Sequence, residues 1–402
     1  MEVALPDMRV FYFAYLSDTG EGHKNHVEDF LMHFSQNQKI SNLDLFTNLG
    51  CHEFPKLREP KFKIHTIFCG KSSMSVFRFQ LRAARELYTK WRETPQFVVY
   101  IRHCSFLFLV LLFRLQKMKK AIIIEVNTIP NKWLLENKKK FNLRKQFLFC
   151  FDRFVFKMAS HITVVCPNFA ANLHANFQIH PSKTTVIPNG YHQSQIPDLT
   201  KLQARERLGF RPHGRYCIYV GSLTEYEGVI FLSRAIRKFL NSSENLDVVF
   251  AIVGEGELRS PMQEILGRNI EKRQVVFTGN LKRQEMYQHI LASDVCLYTP
   301  PQVEYGFCSQ RGGSALKVVD YLACGRAVLF PDDDYYRYVE ENRLGRLYKS
   351  GDIPSFTQLL EKMLSEDDLL EEFSQNCLKY AQGNLLWEKT LAPLKRFFVP
   401  YQ

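Results

Sequence analysis

The chain has 402 residues, enough for two or three domains with substantial cores, and its 46% hydrophobic and 13% aromatic content is that of a globular protein. A net charge of +12 directs attention to anionic partners such as phosphates, acidic lipid or nucleic acid. The 10 cysteines form no C-x-x-C pair and no zinc spacing, and sit mostly in apolar runs such as those around Cys150, Cys217 and Cys296, as free thiols do in a reducing compartment.

Residues 1–7 lack the basic region and apolar core of a secretory signal. Residues 10–15 then read as a strand, followed by a turn-rich loop at 17–22 and a helix whose apolar stripe is Val27, Phe30, Leu31 and Phe34. Further strands are expected at 64–68, 97–100, 121–126, 162–165 and 185–187, with helical patterns between them. The strongest apolar run, 104–115, is interrupted by Arg114 and is too short to span a bilayer, so a cytoplasmic location is expected. Residues 132–157 interleave Lys132, Lys138, Lys139, Lys140, Arg144, Lys145, Arg153 and Lys157 with Phe141, Leu143, Phe147, Phe149, Phe151, Phe154 and Phe156. That composition suits peripheral contact with an anionic membrane, and equally a core-packing helix with a solvated charged face. No nucleic-acid-binding module accompanies the charge, so nucleic acid is not an expected partner.

Residues 188–213 are polar and proline-bearing and read as a hinge. A second strand series follows at 216–221, 248–253, 275–278, 295–297 and 327–330. The fold class is therefore α/β, with two similar-sized, doubly wound Rossmann-like domains and a ligand cleft between them at the strand C-termini.

Residues 312–325 are the most informative stretch. A glycine loop runs into a helix with Ser314 as N-cap and Gly325 just past its end, leaving about three turns between. Lys317 falls in the first turn, where the helix dipole disfavours a cation unless an anion binds there, most simply a phosphate. Lys317, Asp320, Tyr321 and Cys324 share one helical face, which places Asp320 to accept hydrogen bonds from ribose hydroxyls. Asp332, Asp333 and Asp334 read as a capping loop rather than a metal site, and no metal or other cofactor is expected.

The chain resembles the retaining glycosyltransferases of family 4, glycosyl transferases group 1, with the GT-B architecture. The residues that carry the resemblance run in order: Val186-Ile187-Pro188-Asn189-Gly190, Tyr219-Val220-Gly221-Ser222-Leu223 with Glu227-Gly228, Val253-Gly254-Glu255-Gly256, Phe277-Thr278-Gly279, Ser314-Ala315-Leu316-Lys317, Asp320-Tyr321-Leu322-Ala323-Cys324-Gly325 and Gly345-Arg346-Leu347-Tyr348. The resemblance implies an N-terminal acceptor-binding domain at 1–192, a hinge at 193–213, a nucleotide-sugar-binding domain at 214–386, and a segment at 387–402 that returns to the first domain. Its implied donor-binding residues are Gly20, Gly22, Gly221, Ser222, Gly254, Arg311, Gly312, Gly313, Ser314, Ala315, Leu316, Lys317 and Asp320.

Lys317 matches the family's diphosphate-binding cation. Asp320 matches its ribose-binding acid, where glutamate is more usual. Gly312 stands where the commoner pattern has a sugar-facing glutamate. Ser222 and Glu227 replace a frequent arginine and lysine, for which Arg311 and Arg326 are the nearest compensating cations. Alongside Lys317 and Asp320, the catalytic candidates are Arg102, His103, Glu125 and Asn127, at the ends of two N-terminal-domain strands. The implied activity is retaining transfer from a nucleoside-diphosphate sugar to a carbohydrate, glycan or lipid-linked acceptor, without metal. A nucleotide-sugar epimerase and a catalytically silent partner subunit are the alternatives.

Overall fold

The computed structural model describes residues 8–16, 21–36, 40–69, 75–91, 97–102, 122–127, 143–242, 247–300 and 315–398. The chain divides into two compact units, residues 1–189 with 390–402, and residues 190–389.

Strands of a parallel sheet covered on both faces must be apolar nearly throughout. Among the described residues the first unit has seven strands, of which β1, β4 and β5 follow this pattern most closely: β1 (Met8–Ala14), β2 (Ile40–Thr47), β3 (Phe62–Thr66), β4 (Phe97–Arg102), β5 (Ile122–Val126), β6 (His161–Val164) and β7 (Thr184–Val186). They pair in the order β3-β2-β1-β4-β5-β6-β7, all neighbours parallel. Among its helices are α1 (Glu21–Ser35), α2 (Ser75–Trp91), α3 (Leu143–Met158) and α4 (Pro167–Phe177). Strand β2 was not expected, because Ser41, Asn42 and Asp44 break its apolar pattern. The Asp44 side chain is fully buried, and it is satisfied there by Arg9 at 2.5 Å and His65 at 2.7 Å. A buried charge with two cationic or imidazole partners is tolerated where a lone one is not.

The second unit carries α5 (Lys201–Arg207), then β8 (Arg215–Val220), α6 (Val229–Ser242), β9 (Val248–Val253), β10 (Val275–Gly279), α7 (Arg283–Ala292), β11 (Val295–Leu297), α8 (Leu316–Ala323), β12 (Ala327–Pro331) and β13 (Gly345–Tyr348). Its sheet order is β10-β9-β8-β11-β12-β13. Cys217, Ile218 and Tyr219 of the central strand β8 are wholly buried; each large apolar side chain so buried contributes about 1.5–3 kcal/mol relative to exposure. Residues 193–213 do not form a bare connector. Helix α5 lies within them and is tied down by Asp294, which accepts from Arg205 at 2.7 Å, Lys201 at 3.0 Å and the backbone N–H of Tyr216 at 2.9 Å.

Helix α8 is shorter than expected. Its N-cap is Ala315 (φ −64°, ψ 133°) rather than Ser314, and its eight residues make about two turns. Gly325, at φ +62°, ends it as expected.

The amphipathic residues 132–157 fall partly outside the described region. In the described part of α3, Asp152, Val155 and Phe156 are buried and Phe149 and Phe156 pack on Phe177 of α4, while Cys150, Phe154 and Lys157 face outward. This helix therefore has both a core face and an exposed face. Among the described residues, no helix is long and apolar enough to cross a membrane.

Candidate functional site

In both sheets the strand order reverses beside the first strand, between β1 and β4 and between β8 and β11. The crevice outside the strand C-termini at such a point is where open α/β sheets bind ligands. In the second unit that point is built from glycine. Gly221 follows β8 at φ +152°, and a Cβ on it would lie 2.3 Å from the Lys317 ammonium nitrogen. Gly254 follows β9 at φ +135°, and a Cβ there would lie 2.0 Å from the Gly221 carbonyl oxygen. Neither position accepts a side chain without displacing its neighbour.

Into this space α8 delivers Lys317, the second residue of the helix. Its Nζ donates to Glu227 Oε2 at 2.6 Å and lies 4.9 Å from the Tyr219 ring centroid and 5.2 Å from that of Tyr298. Tyr219 is the penultimate residue of β8 and Tyr298 follows β11, so the ammonium sits over the reversal of strand order, with aromatic faces on two sides. The Tyr219 hydroxyl donates to the Ser222 carbonyl at 3.0 Å, fixing the turn after β8. Burial, reinforced by the Glu227 carboxylate, pushes the Tyr219 phenol well above its ordinary pKa and keeps it a donor.

Asp320 diverges from Lys317 despite their shared face. Its Oδ1 accepts from the Tyr287 hydroxyl at 2.8 Å, with Arg283 3.9 Å away, and the residue is only 8% exposed. On the next residue, the Tyr321 hydroxyl accepts from the Val220 N–H at 2.8 Å and clamps α8 against β8. The sheet thus brings Gly221, Ser222, Gly254 and Lys317 together, and places Asp320 on the α7 side of the same helix. Ala315 caps the helix and Leu316 is its first residue.

Arg326 does not compensate for the missing family cations. It immediately precedes β12, at the strand N-termini, among Cys296, Cys324 and Asp294. The site is at the opposite, C-terminal edge. Gly20, His103, Arg311, Gly312, Gly313 and Ser314 lie outside the described residues, and Gly22 falls in the first turn of α1.

In the first unit, Arg102, Glu125 and Asn127 do meet. Arg102 and Glu125 are register partners on β4 and β5. Glu125 Oε1 accepts from Arg102 at 3.0 Å and from the Asn127 amide, and lies 2.8 Å from His26 Nε2 on α1; its Oε2 accepts from the Tyr12 hydroxyl at 2.6 Å. Burial alone would raise the Glu125 carboxyl, but His26, then Arg102 and Tyr12, override it and hold the pKa at about 2. With both oxygens engaged, Glu125 is a fixed anion that orients four neighbours, not a free base. His26 and Tyr12 were missed in the sequence, where Tyr12 lies within the apolar strand at 10–15 and His26 stands just before the apolar stripe of the helix that follows. Tyr219, Tyr298 and Tyr287 were missed as well. For Tyr219 and Tyr298 the available signal was tyrosine at or just past the C-terminal end of a buried strand; Tyr287, inside α7, offered none.

The aspartate run behaves as a cap: Asp333 accepts from the Tyr335 N–H at 2.9 Å and Asp334 pairs with Arg337 at 2.6 Å. Among the described residues, no group of three or more His, Cys, Asp or Glu side chains is placed to hold a metal.

Comparison with known proteins finds family matches in both units. Residues 214–366 match the family model "Glycosyl transferases group 1" and residues 42–195 match "Glycosyltransferase Family 4". An uncharacterized glycosyltransferase of Methanocaldococcus jannaschii is 20% identical over 408 aligned residues, covering 97% of each chain. The UDP-Gal:alpha-D-GlcNAc-diphosphoundecaprenol alpha-1,3-galactosyltransferase of Escherichia coli is 24% identical over 204 residues, 50% of this chain and 49% of that one. Among solved structures, Anabaena HepE in complex with UDP and glucose superposes with a TM-score of 0.71 at 13% identity, over 97% of this chain and 98% of that one.

Proposed function

We propose that this chain, which belongs to the group 1 and family 4 glycosyltransferases, moves a sugar from a nucleoside-diphosphate sugar to an acceptor hydroxyl with retention of anomeric configuration, in glycan or glycolipid synthesis. The observation that carries this reading is the Lys317 ammonium at the strand-order reversal of the second sheet, between two tyrosine rings and beside the open backbone of Gly221. A departing diphosphate needs preorganised positive charge where its negative charge develops. Lys317 and the first-turn N–H groups of α8 supply it.

In the retaining course the acceptor oxygen bonds to the anomeric carbon on the face from which the diphosphate leaves. The acceptor proton passes to the departing phosphate oxygen, so a pair of glycosidase carboxylates is not needed. The second unit takes the donor, with Lys317 at the diphosphate and Asp320 toward the ribose. The first unit takes the carbohydrate, glycan or lipid-linked acceptor. The UDP complex of HepE makes uridine diphosphate sugars the first donors to try.

The test is product analysis with a panel of nucleotide sugars, with and without a lipid-linked sugar acceptor. Acceptor-dependent product with the donor's anomeric configuration is expected, at a rate that EDTA leaves nearly unchanged. An epimerised donor formed without acceptor would reject transfer. Activity lost to EDTA and restored by Mg²⁺ or Mn²⁺ would reject the metal-free course.

Peripheral contact with an anionic membrane belongs to the same proposal. It is supported by the outward-facing Phe154 and Lys157 of α3, and by α2, where Phe77, Leu81 and Tyr88 share the exposed surface with Arg78, Arg82 and Arg85. Replacing Lys138, Lys139, Lys140, Arg144 and Lys145 with glutamine should reduce sedimentation with phosphatidylglycerol vesicles, and salt should weaken the parent protein's binding. Equal sedimentation of the two proteins would count against contact through this segment.

A further inference from the structure

Glu227 occupies a position at odds with an anion-binding site. Its carboxylate lies 2.6 Å from Lys317 Nζ, and the two side chains are only 19% and 11% exposed. It ends the single turn of 3-10 helix Glu225–Glu227, and Gly228, at φ +68°, turns the chain directly into α6. Its backbone carbonyl is also held, accepting from the Thr299 hydroxyl at 3.4 Å. The backbone is therefore fixed and the carboxylate is aimed at the ammonium by construction.

An ammonium has three donors and no acceptor. Here the Tyr219 and Tyr298 rings flank it and Glu227 takes its closest polar contact. A phosphate oxygen that comes within hydrogen-bond distance must either displace the carboxylate or share the ammonium with it. Two anions on one little-exposed cation repel strongly, because solvent screens them poorly. Displacement is the lower-energy course for a diphosphate, which brings more charge than a carboxylate.

We propose that Glu227 is a placeholder anion for the donor diphosphate: it holds Lys317 in position until nucleotide binds and is then exchanged for the diphosphate. The inference rests on the donor-site assignment of Lys317. It makes nucleotide affinity a difference between two ion pairs rather than the strength of one. Glu227 acts through Lys317 and is a positioning residue, not a catalytic one.

The test is a double-mutant cycle on nucleotide binding, with UDP and GDP as probes in isothermal titration of the full chain. Lys317→Met should weaken nucleotide binding. Glu227→Gln should tighten it by about tenfold, the effect of removing one charge-assisted competitor. Glu227→Ala should tighten it likewise, and thermal melts establish that each variant is folded. The decisive arm is Lys317→Met/Glu227→Gln, in which the tightening should largely disappear.

Tightening of equal size with and without Lys317 would reduce Glu227 to a through-space repulsion and overturn the exchange. Unchanged or weaker binding by both Glu227 variants would overturn it as well. Unaltered binding by Lys317→Met would instead remove the donor-site assignment beneath it, so the two failures are distinguishable.

Discussion

Replacing Lys317 with alanine should slow glycosyl transfer by on the order of 10²- to 10³-fold, the usual cost of removing one donor from a charge-stabilising site. The effect should fall on kcat as well as on donor KM, because the ammonium's bond to the diphosphate strengthens as the glycosidic bond breaks. The fold should survive. Helix α8 is anchored through Val318, Val319, Tyr321 and Leu322, all buried, while Lys317 points out of that core toward Gly221. Steady-state kinetics on a variant with native circular dichroism would check it, and a near-parental rate would exclude Lys317 from the reaction.

The second large effect is on stability. Glu125→Gln keeps the shape of the side chain but removes the charge on which Arg102, His26, Tyr12 and Asn127 converge. Breaking a buried ion pair from one side typically costs about 3–5 kcal/mol, because the remaining cation loses its compensation. The urea midpoint of the first unit's unfolding should fall accordingly.

The same group sets an acid limit. Its folded-state pKa, about 2, lies below the ordinary glutamate value of 4.5. Its contribution is therefore complete above the unfolded value and is lost as pH falls from about 4.5 toward 2, on the order of 3 kcal/mol in all. Asp44, lowered by His65 and Arg9 against the opposing effect of burial, adds a loss of the same sign. Glu125→Gln should flatten the acid limb of a stability–pH profile measured over that range. A profile as steep as the parent's would mean that Glu125 does not titrate with folding.

Much of the fold was legible because parallel strands buried on both faces are short, nearly uninterrupted apolar runs; β9 and β11 appear in the sequence with the bounds they have in the structure. Strand β2 was hidden because its buried Asp44 is compensated by Arg9 and His65, residues 35 and 21 positions away. No local pattern reports such a pairing. At the site, Lys317 was visible as a cation misplaced in a first helical turn, and Gly221 and Gly254 as glycines ending strands. Their roles were less visible: the Glu227–Lys317 pair joins residues 90 positions apart, and the divergence of Asp320 depends on Tyr287, which periodicity assigns only to a helix core.

Residues 390–402 group with residues 1–189, although the whole of the second unit lies between them in the chain. Arg396 donates to the Thr185 hydroxyl at 2.6 Å, and Phe397 packs on His161 with ring centroids 4.4 Å apart. During synthesis, then, the unit that emerges first is the one completed last. The ends of β6 and β7 wait with His161 and Thr185 uncovered while some two hundred further residues are added at about 5–20 per second. For those tens of seconds the nascent first unit is a sheet with an unfinished flank, and a ribosome stalled near residue 389 would present it in that condition.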